Sequence, residues 1–234
     1  MRFPAPLVRG TLIRRYKRFF ADVALDTGET VTAHVANTGA MLGTSDPGIE
    51  VWLSPAPGPA RKLAWNWELC RVDGCLVGVN TGHPNRIVAE AVAEGRIPEL
   101  AGYAGLRREV PYGRNSRIDL LLEDPGRPTC HVEVKNVHLR RGTWAEFPDA
   151  VTARGAKHLA ELSEVAAQGG RAVMLFLVQR GDCEGFRPAA DIDPVYARAL
   201  AQAVRDGVEA ICYTCAMDVG GIALAERLAV RLGP

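Results

Sequence analysis

The chain has 234 residues, of which 47% are hydrophobic, 24% charged and 6% aromatic. This composition is typical of a globular protein with one large or two small domains, and it excludes an intrinsically disordered chain. No apolar run approaches the roughly 20 residues that span a bilayer, which excludes a transmembrane helix. Because the formal net charge is only +1, a nucleic-acid partner has to be inferred from local patches of charge.

The amino-terminal segment and the cysteines both indicate a cytoplasmic protein. Pro4, Pro6 and scattered arginines stand where a secretory signal would need a continuous apolar stretch. The six cysteines are interpreted as reduced thiols, since the chain is long and shows no export signal. Cys212 and Cys215 have C-x-x-C spacing within a predicted strand, where residues three apart point to opposite faces, and this argues against a zinc site.

The first 80 residues are predicted to form a small β-barrel. Short segments of alternating polarity are separated by turn residues, and the predicted strands are 8–15, 19–25, 30–35, 49–53, 63–69 and 75–79. This number of strands favours an oligonucleotide-binding (OB) barrel, although an SH3-like barrel has a similar pattern. Trp52, Trp65 and Trp67 are interpreted as core residues, with base-stacking platforms as the alternative. We place the barrel domain at residues 1–82.

Residues 83–234 are predicted to form an α/β domain. Helical periodicity marks 84–94, about 148–167 and 194–206, and strand patterns mark 106–112, 117–122, 130–137, 172–178, 210–215 and 222–230. This order predicts a mixed sheet in which the very apolar strand 172–178 is central and buried.

Three polar residues in this domain form a candidate catalytic site. Asp119 lies in the string SRIDLLL, and Glu133 and Lys135 lie in HVEVKNV. Side chains two apart on a strand share one face, so Asp119 meets the other two if the strands pair. Two carboxylates and an ammonium suit phosphodiester hydrolysis, with Mg²⁺ or Mn²⁺ on the acids and the lysine positioning or activating the attacking water. The alternative is an ordinary cross-strand ion pair on a solvated sheet face.

Basic residues cluster near the start of the chain and are interleaved with aromatic ones. A cationic strand with an aromatic residue on an OB barrel can hold a nucleic-acid strand by phosphate neutralisation and base stacking. The predicted DNA contacts here are Arg14, Tyr16, Lys17 and Arg18. A solubilising edge strand is the alternative.

Further basic residues are predicted to lie near the acids. Arg117 and Lys157 are candidate DNA contacts, and Arg114, Arg140 and Arg141 would add positive charge. His158 is interpreted as a packed histidine and not as a base. Glu90 and Glu94, the acids of the first predicted helix, are interpreted as surface charges.

The sequence resembles the sugar fermentation stimulation protein A (SfsA) family nearly end to end. The resemblance is carried by LIRRYKRFFADV, HVANTGAM, GVNTGHPNRIV, SRIDLLL, HVEVKNV, FPDAVTARGAKHLAEL and GRAVMLFLVQR. It implies an N-terminal OB domain, a C-terminal domain similar to PD-(D/E)xK nucleases, and DNA binding. Asp119 matches the motif aspartate, Glu133 the second acid and Lys135 the lysine. Ala153 and Ala156 depart from the acid and the polar residue expected in the long helix.

The leading hypothesis is therefore a cytoplasmic DNA-binding protein with a candidate nuclease site that uses Mg²⁺ or Mn²⁺. One alternative is a non-enzymatic transcriptional regulator or nucleoid-associated binder in which the three residues are structural. Another is a nuclease that acts on RNA. We expect no membrane partner, and a homodimer remains open.

Overall fold

In the computed structural model, which describes residues 1–56, 58, 62–113 and 116–233, the first six strands build a barrel. They are β1 (Val8–Tyr16), β2 (Phe20–Leu25), β3 (Thr30–His34), β4 (Glu50–Pro55), β5 (Trp65–Val72) and β6 (Cys75–Gly78). Their order is β3-β2-β1-β4-β5-β6, and a further pairing of β3 with β5 closes five strands into a ring. The predicted OB barrel is thus confirmed.

The barrel core follows from the alternation of side chains along the strands. Ala21, Val23 and Leu25 on β2 point inward, where they pack with Trp67. Trp67 is fully buried and donates its ring N–H to the carbonyl of Leu69 at 2.9 Å. Trp52 and Trp65 differ from it: Trp52 is buried in the core shared with the second domain, and Trp65 is partly buried against the barrel core.

The second half of the chain folds around a nine-stranded mixed sheet with the order β10-β11-β13-β15-β14-β12-β9-β8-β7. Its strands are β7 (Gly105–Tyr112), β8 (Ser116–Glu123), β9 (Cys130–Val137), β10 (Leu139–Arg141), β11 (Trp144–Phe147), β12 (Arg171–Val178), β13 (Gly185–Pro188), β14 (Glu209–Asp218) and β15 (Gly221–Val230). β12 runs parallel to both β9 and β14, and every residue after its first is buried. The predicted central strand is confirmed.

Helices cover the two faces of this sheet. α1 (Pro84–Ala93) lies on one face, and α2 (Ala153–Ala167) and α3 (Pro194–Arg205) lie on the other. A short 3₁₀ helix, Pro98–Leu100, follows α1. The core under α1 also contains Trp52 and Leu69 of the barrel, so the barrel packs directly on the α1 side of the sheet. No described helix is both long and apolar enough to cross a membrane.

The structure differs from the sequence-based expectation between residues 139 and 152. This segment was expected to contain a loop and the start of the long helix, but it holds the β10–β11 hairpin. α2 begins only at Ala153, because the side chain of Thr152 caps it by accepting the Gly155 N–H at 3.0 Å. The four-residue strand β13 was also missed. Strands this short carry too few alternating residues to be recognised.

Candidate metal and nucleic-acid site

The predicted acids meet where β8 and β9 separate. The two strands pair from Leu122 with Cys130 to Leu120 with Val132. Beyond that pair, the Val134 N–H of β9 donates to the side chain of Asp119 and not to the main chain of β8. The distance from Val134 N to Asp119 Oδ2 is 2.7 Å. Asp119 is thereby turned towards Glu133, as the pairing argument predicts.

Glu133 is the most buried member of the site, with 3% of its side chain exposed. Its Oε1 accepts a hydrogen bond from Lys135 Nζ at 2.6 Å and also contacts His158 Nδ1. Burial opposes ionisation of Glu133, but the contacts with His158 and Lys135 outweigh burial and lower its pKa. Its Oε2 is buried and has no hydrogen-bond partner among the described residues.

The surroundings of Asp119 raise its pKa, whereas those of Glu133 lower the pKa of Glu133. Burial and the charge of Glu133 raise its pKa to about 6, against an ordinary value of 3.8. The bonds from the Val134 N–H and from Asn85 Nδ2, which donates to Oδ1 at 2.7 Å, compensate only part of this effect. Burial and the neighbouring Glu133 therefore both oppose ionisation of Asp119.

The ion pair at the site is not the solvated cross-strand pair that the sequence analysis gave as the alternative to a catalytic site. Lys135 pairs with Glu133 on its own strand, and this pair is largely buried. Asp119 makes no ion pair within the part of the chain that the structure describes, and Arg117 instead donates to the carbonyl of Glu109 at 3.1 Å. An ordinary cross-strand pair on a solvated face does not describe this arrangement.

Asn85 is a site residue that the sequence analysis missed. It lies in the first turn of α1 and bridges Asp119 and Glu109, with its Nδ2 3.1 Å from Glu109 Oε1. The available signal was its position three residues before the buried Val88, which places it on the inward face of the helix. The two acids of the first predicted helix make other contacts: Glu90 pairs with Arg86 and the amino terminus, and Glu94, the C-cap residue of α1, pairs with Arg96.

The start of α1 is fixed by a buried carboxylate of the barrel. Glu68 on β5 accepts hydrogen bonds from Ser54 Oγ at 2.6 Å and from Asn80 Nδ2 at 2.7 Å. Its Oε2 also lies 2.6 Å from Nε2 of His83, the N-cap residue of α1. The barrel thus holds the helix end from which Asn85 reaches Asp119.

On α2 the adjacent residues Lys157 and His158 have different surroundings, and the predicted contact of Lys157 with DNA stays a prediction. His158 is packed, as expected, but its ring also contacts Glu133 and lies 3.3 Å from Lys135 Nζ. Lys157 points away from this contact, with about half of its side chain exposed, and lies 3.5 Å from Glu161. The substitutions at Ala153 and Ala156 therefore do not remove α2 from the site, because His158 provides its contribution.

The predicted DNA contacts on the barrel fall into two groups. Arg14 pairs with Asp22 at 2.8 Å and stacks on Tyr16 at 4.8 Å, and the Tyr16 hydroxyl also bonds Asp22. Lys17 and Arg18 instead form the exposed β1–β2 turn, where both have positive φ angles of 47° and 63°. The turn therefore presents its two cations to solvent.

The arginines of the β10–β11 hairpin pair with acids close to the hairpin. Arg140 lies near Asp73 and Asp182, and Arg141 pairs with Glu146 and Asp191. Their contribution of positive charge near the acids stays a prediction. The predicted Arg114 lies outside the described residues.

Comparisons with known proteins agree along the whole chain. Residues 13–79 match the SfsA N-terminal OB domain, and residues 82–221 match the sugar fermentation stimulation protein RE domain. A sugar fermentation stimulation protein homolog of Paramagnetospirillum magneticum is 72% identical over 99% of this chain and 98% of its own length. A sugar fermentation stimulation protein homolog of Rhodospirillum centenum is 65% identical over 97% of this chain and 98% of its own length.

A solved structure is similar over the same extent. Pyrococcus furiosus SfsA in complex with Ca²⁺ has a TM-score of 0.90 and 28% identity, covering 99% of this chain and 98% of that one. Together with the matched domain models, this similarity confirms the predicted order of an N-terminal OB barrel followed by a domain with a mixed sheet.

Proposed function

Because the chain belongs to the sugar fermentation stimulation protein (SfsA) family, we propose that it binds DNA and hydrolyses its phosphodiester bonds with Mg²⁺ or Mn²⁺ at Asp119 and Glu133. The predicted compartment is the cytoplasm. The family match supports the fold, and the activity is inferred from the site itself.

One observation carries this proposal: the buried Oε2 of Glu133 has no described partner, and it belongs to the same site as an acid whose pKa is raised to about 6. An unpaired buried acceptor beside a second carboxylate is electrostatically unfavourable unless a cation occupies the site. Hard divalent cations prefer such oxygens. The residues present therefore fit a divalent ion.

The number of protein ligands favours Mg²⁺ or Mn²⁺. The site offers a cation two carboxylates, those of Asp119 and Glu133. Mg²⁺ is commonly held by one or two carboxylates, with water and substrate phosphate oxygens as its other ligands. The Ca²⁺ in the related Pyrococcus furiosus structure supports the same class of hard cation.

The side chains around the acids have distinct roles in this proposal. A bound cation would polarise the scissile phosphate and lower the pKa of a coordinated water. Asn85 orients Asp119, and His158 orients Glu133. The Lys135 ammonium, held at 2.6 Å from Glu133 and partly accessible, is placed to bind a phosphate oxygen or the attacking water.

A second candidate function is DNA binding without turnover. It is favoured by the neutralisation of Glu133, whose Oε1 is already shared by Lys135 and His158. In that case the cluster would be structural, and Lys135 would stabilise the fold without acting on a phosphate.

An incubation experiment separates the two functions. Wild-type protein is mixed with single-stranded, duplex and branched DNA in Mg²⁺, Mn²⁺ or EDTA, beside Lys135→Ala and the control Lys62→Ala, an exposed barrel lysine. We expect metal-dependent cleavage that Lys135→Ala abolishes and Lys62→Ala retains. Absence of cleavage of every DNA, or full cleavage by Lys135→Ala, would contradict the proposal.

A further inference from the structure

Two turns of identical sequence, Asn-Thr-Gly, lie side by side at one end of the barrel. Asn37-Thr38-Gly39 follows β3, and Asn80-Thr81-Gly82 follows β6. In each turn, the asparagine side-chain oxygen accepts the glycine N–H at 2.9 Å. The first asparagine also donates to the carbonyl of Val79 at 3.1 Å, and Thr81 donates both its N–H and its hydroxyl to the carbonyl of Ala36. The two turns therefore form one cross-linked wall.

The opposite wall belongs to the sheet domain. It consists of Asn136 at the end of β9, His138 directly after that strand, and residues 147–152 before α2. The two walls enclose a cavity of about 260 Å³, here named the junction cleft. Strand β9 contributes to both places: Asn136 lines the cleft, and the preceding Lys135, whose side chain points to the other face of the strand, belongs to the candidate metal site.

The lining of the junction cleft suits the edge of a nucleobase. Neutral donors and acceptors of Thr38, Thr81 and Asn136 face it, together with the imidazole of His138. His138 has 5% of its side chain exposed, and its Nε2, 3.3 Å from Asp149 Oδ2, makes no hydrogen bond within the described part of the chain. A ligand that bonds this buried nitrogen would satisfy its hydrogen-bonding capacity. The carboxylate of Asp149 would repel a phosphate there.

The cationic turn of the barrel lies next to this cleft. Arg15 donates to the carbonyl of Arg18 at 3.1 Å and to the carbonyls of Asn37 and Gly39 at 2.9 Å each. It thereby ties the β1–β2 turn to the first Asn-Thr-Gly turn. Phe19, which is 44% exposed, lies in the same β1–β2 turn. Cations that contact phosphates beside an exposed aromatic ring are a common way of holding a single strand.

We propose that the junction cleft receives one unpaired base of the strand whose phosphate lies at Asp119 and Glu133, so that the substrate class is single-stranded DNA or the unpaired segment of branched DNA. This inference rests on the proposed function and specifies its substrate. The cleft volume of about 260 Å³ lies below that of pockets for drug-sized ligands, which suits a single base. Extracting a base from a duplex requires unpairing and unstacking it, which favours DNA that is already unpaired.

A cavity-filling substitution tests this inference without touching the acids. Thr38→Trp places a large ring at the exposed position of the first turn, and Thr27→Trp makes the same change at the remote β2–β3 turn. Fluorescence anisotropy in EDTA measures the binding of a labelled single strand and of a closed hairpin duplex at one salt concentration. We expect wild type to bind the single strand at least about tenfold more tightly, equivalent to about 1.4 kcal/mol. Thr38→Trp removes this preference, and Thr27→Trp retains it.

A second measurement uses only the wild-type protein. 2-Aminopurine is placed at successive positions of the strand, and its fluorescence rises at the one position where the base leaves the stack and enters the cleft. An unchanged or uniform signal along the strand would overturn the inference, as would equal affinity of wild type for the two DNAs or an unaffected preference in Thr38→Trp.

The outcomes also separate this inference from the proposed function. Binding and cleavage of DNA with a duplex preference would overturn the inference alone. Failure to bind either DNA would overturn both. Tighter binding of single-stranded RNA of the same sequence would assign the cleft to RNA and overturn the inference.

Discussion

Replacing Asp119 by asparagine is predicted to stabilise the metal-free protein. Because the folded chain raises the pKa of Asp119 from 3.8 to about 6, keeping this carboxyl ionised at pH 7.5 costs the fold about 3 kcal/mol. The new amide can accept the Val134 N–H with its oxygen and donate to Asn85 once that side chain rotates, so both hydrogen bonds at Asp119 are retained. At most the exposed bond from Asn85 to Glu109 is lost.

The stability difference between wild type and Asp119→Asn is expected to depend on pH. Below about pH 4 the carboxyl is protonated in both the folded and the unfolded chain, and the acid and the amide are expected to be similarly stable. As pH rises from about 4 to 6, the unfolded chain loses this proton before the folded one, so wild-type stability falls relative to Asp119→Asn. Above that range the difference is constant, up to about 3 kcal/mol.

Urea denaturation of the two proteins between pH 4.5 and 8 in EDTA measures this difference, with Asp46→Asn, a change at an exposed turn, as the control. Thermal melting gives a second measure, at about 2–4 °C per kcal/mol for a chain of this size. A less stable Asp119→Asn at pH 7.5 would refute the reasoning, because it would mean that Asp119 is a structural anion. A difference that does not change with pH would refute the electrostatic origin.

Three further predictions follow from the same contacts. Lys17→Ala and Arg18→Ala should each lower the salt slope of DNA binding by about 0.7 to 0.9, and Arg14→Ala should lower it less because Arg14 is paired with Asp22; unaltered slopes in all three variants would remove the barrel as a DNA site. Glu68→Gln should destabilise the protein by about 1–3 kcal/mol in denaturation experiments, because it weakens a buried acceptor of three hydrogen bonds, whereas the exposed Glu94→Gln should have little effect; equal effects would contradict a role for Glu68 at the start of α1. Lys135→Ala should bind Mn²⁺ in calorimetry at least as tightly as wild type, since it removes the cation that competes for Glu133, and weaker binding would show that Lys135 supports the metal site.

Much of the fold could be predicted because its strands and helices have clear periodicity. β2 alternates along its whole length, and β12 is a continuous apolar run, so each is recognisable without a partner. The β10–β11 hairpin was missed because its stability comes from distant residues. Glu146 of β11 is buried and pairs with both Arg141 and Arg187. Arg187 lies on β13, far from the hairpin in sequence.

At the candidate site, too, local periodicity predicts some residues, and the others depend on contacts between distant segments. The alternation of residues on β9 places Glu133 and Lys135 on one face, and the pairing of β8 with β9 brings Asp119 to them. Asn85 and His158 come from helices on opposite faces of the sheet, so their convergence depends on how those helices pack. The local sequence indicates only that each residue lies on the inward face of its helix, and not that the two residues meet at the same site.

Calorimetric titration with Mn²⁺ most directly tests the claim that Asp119 and Glu133 form a divalent-cation site. The measurement compares wild type with Asp119→Asn, Glu133→Gln and the control Glu164→Gln, an exposed position on α2. We predict one site per chain whose affinity falls at least about tenfold, or about 1.4 kcal/mol, in each of the two site variants and is unchanged in the control. Wild-type affinity in both site variants would contradict the account.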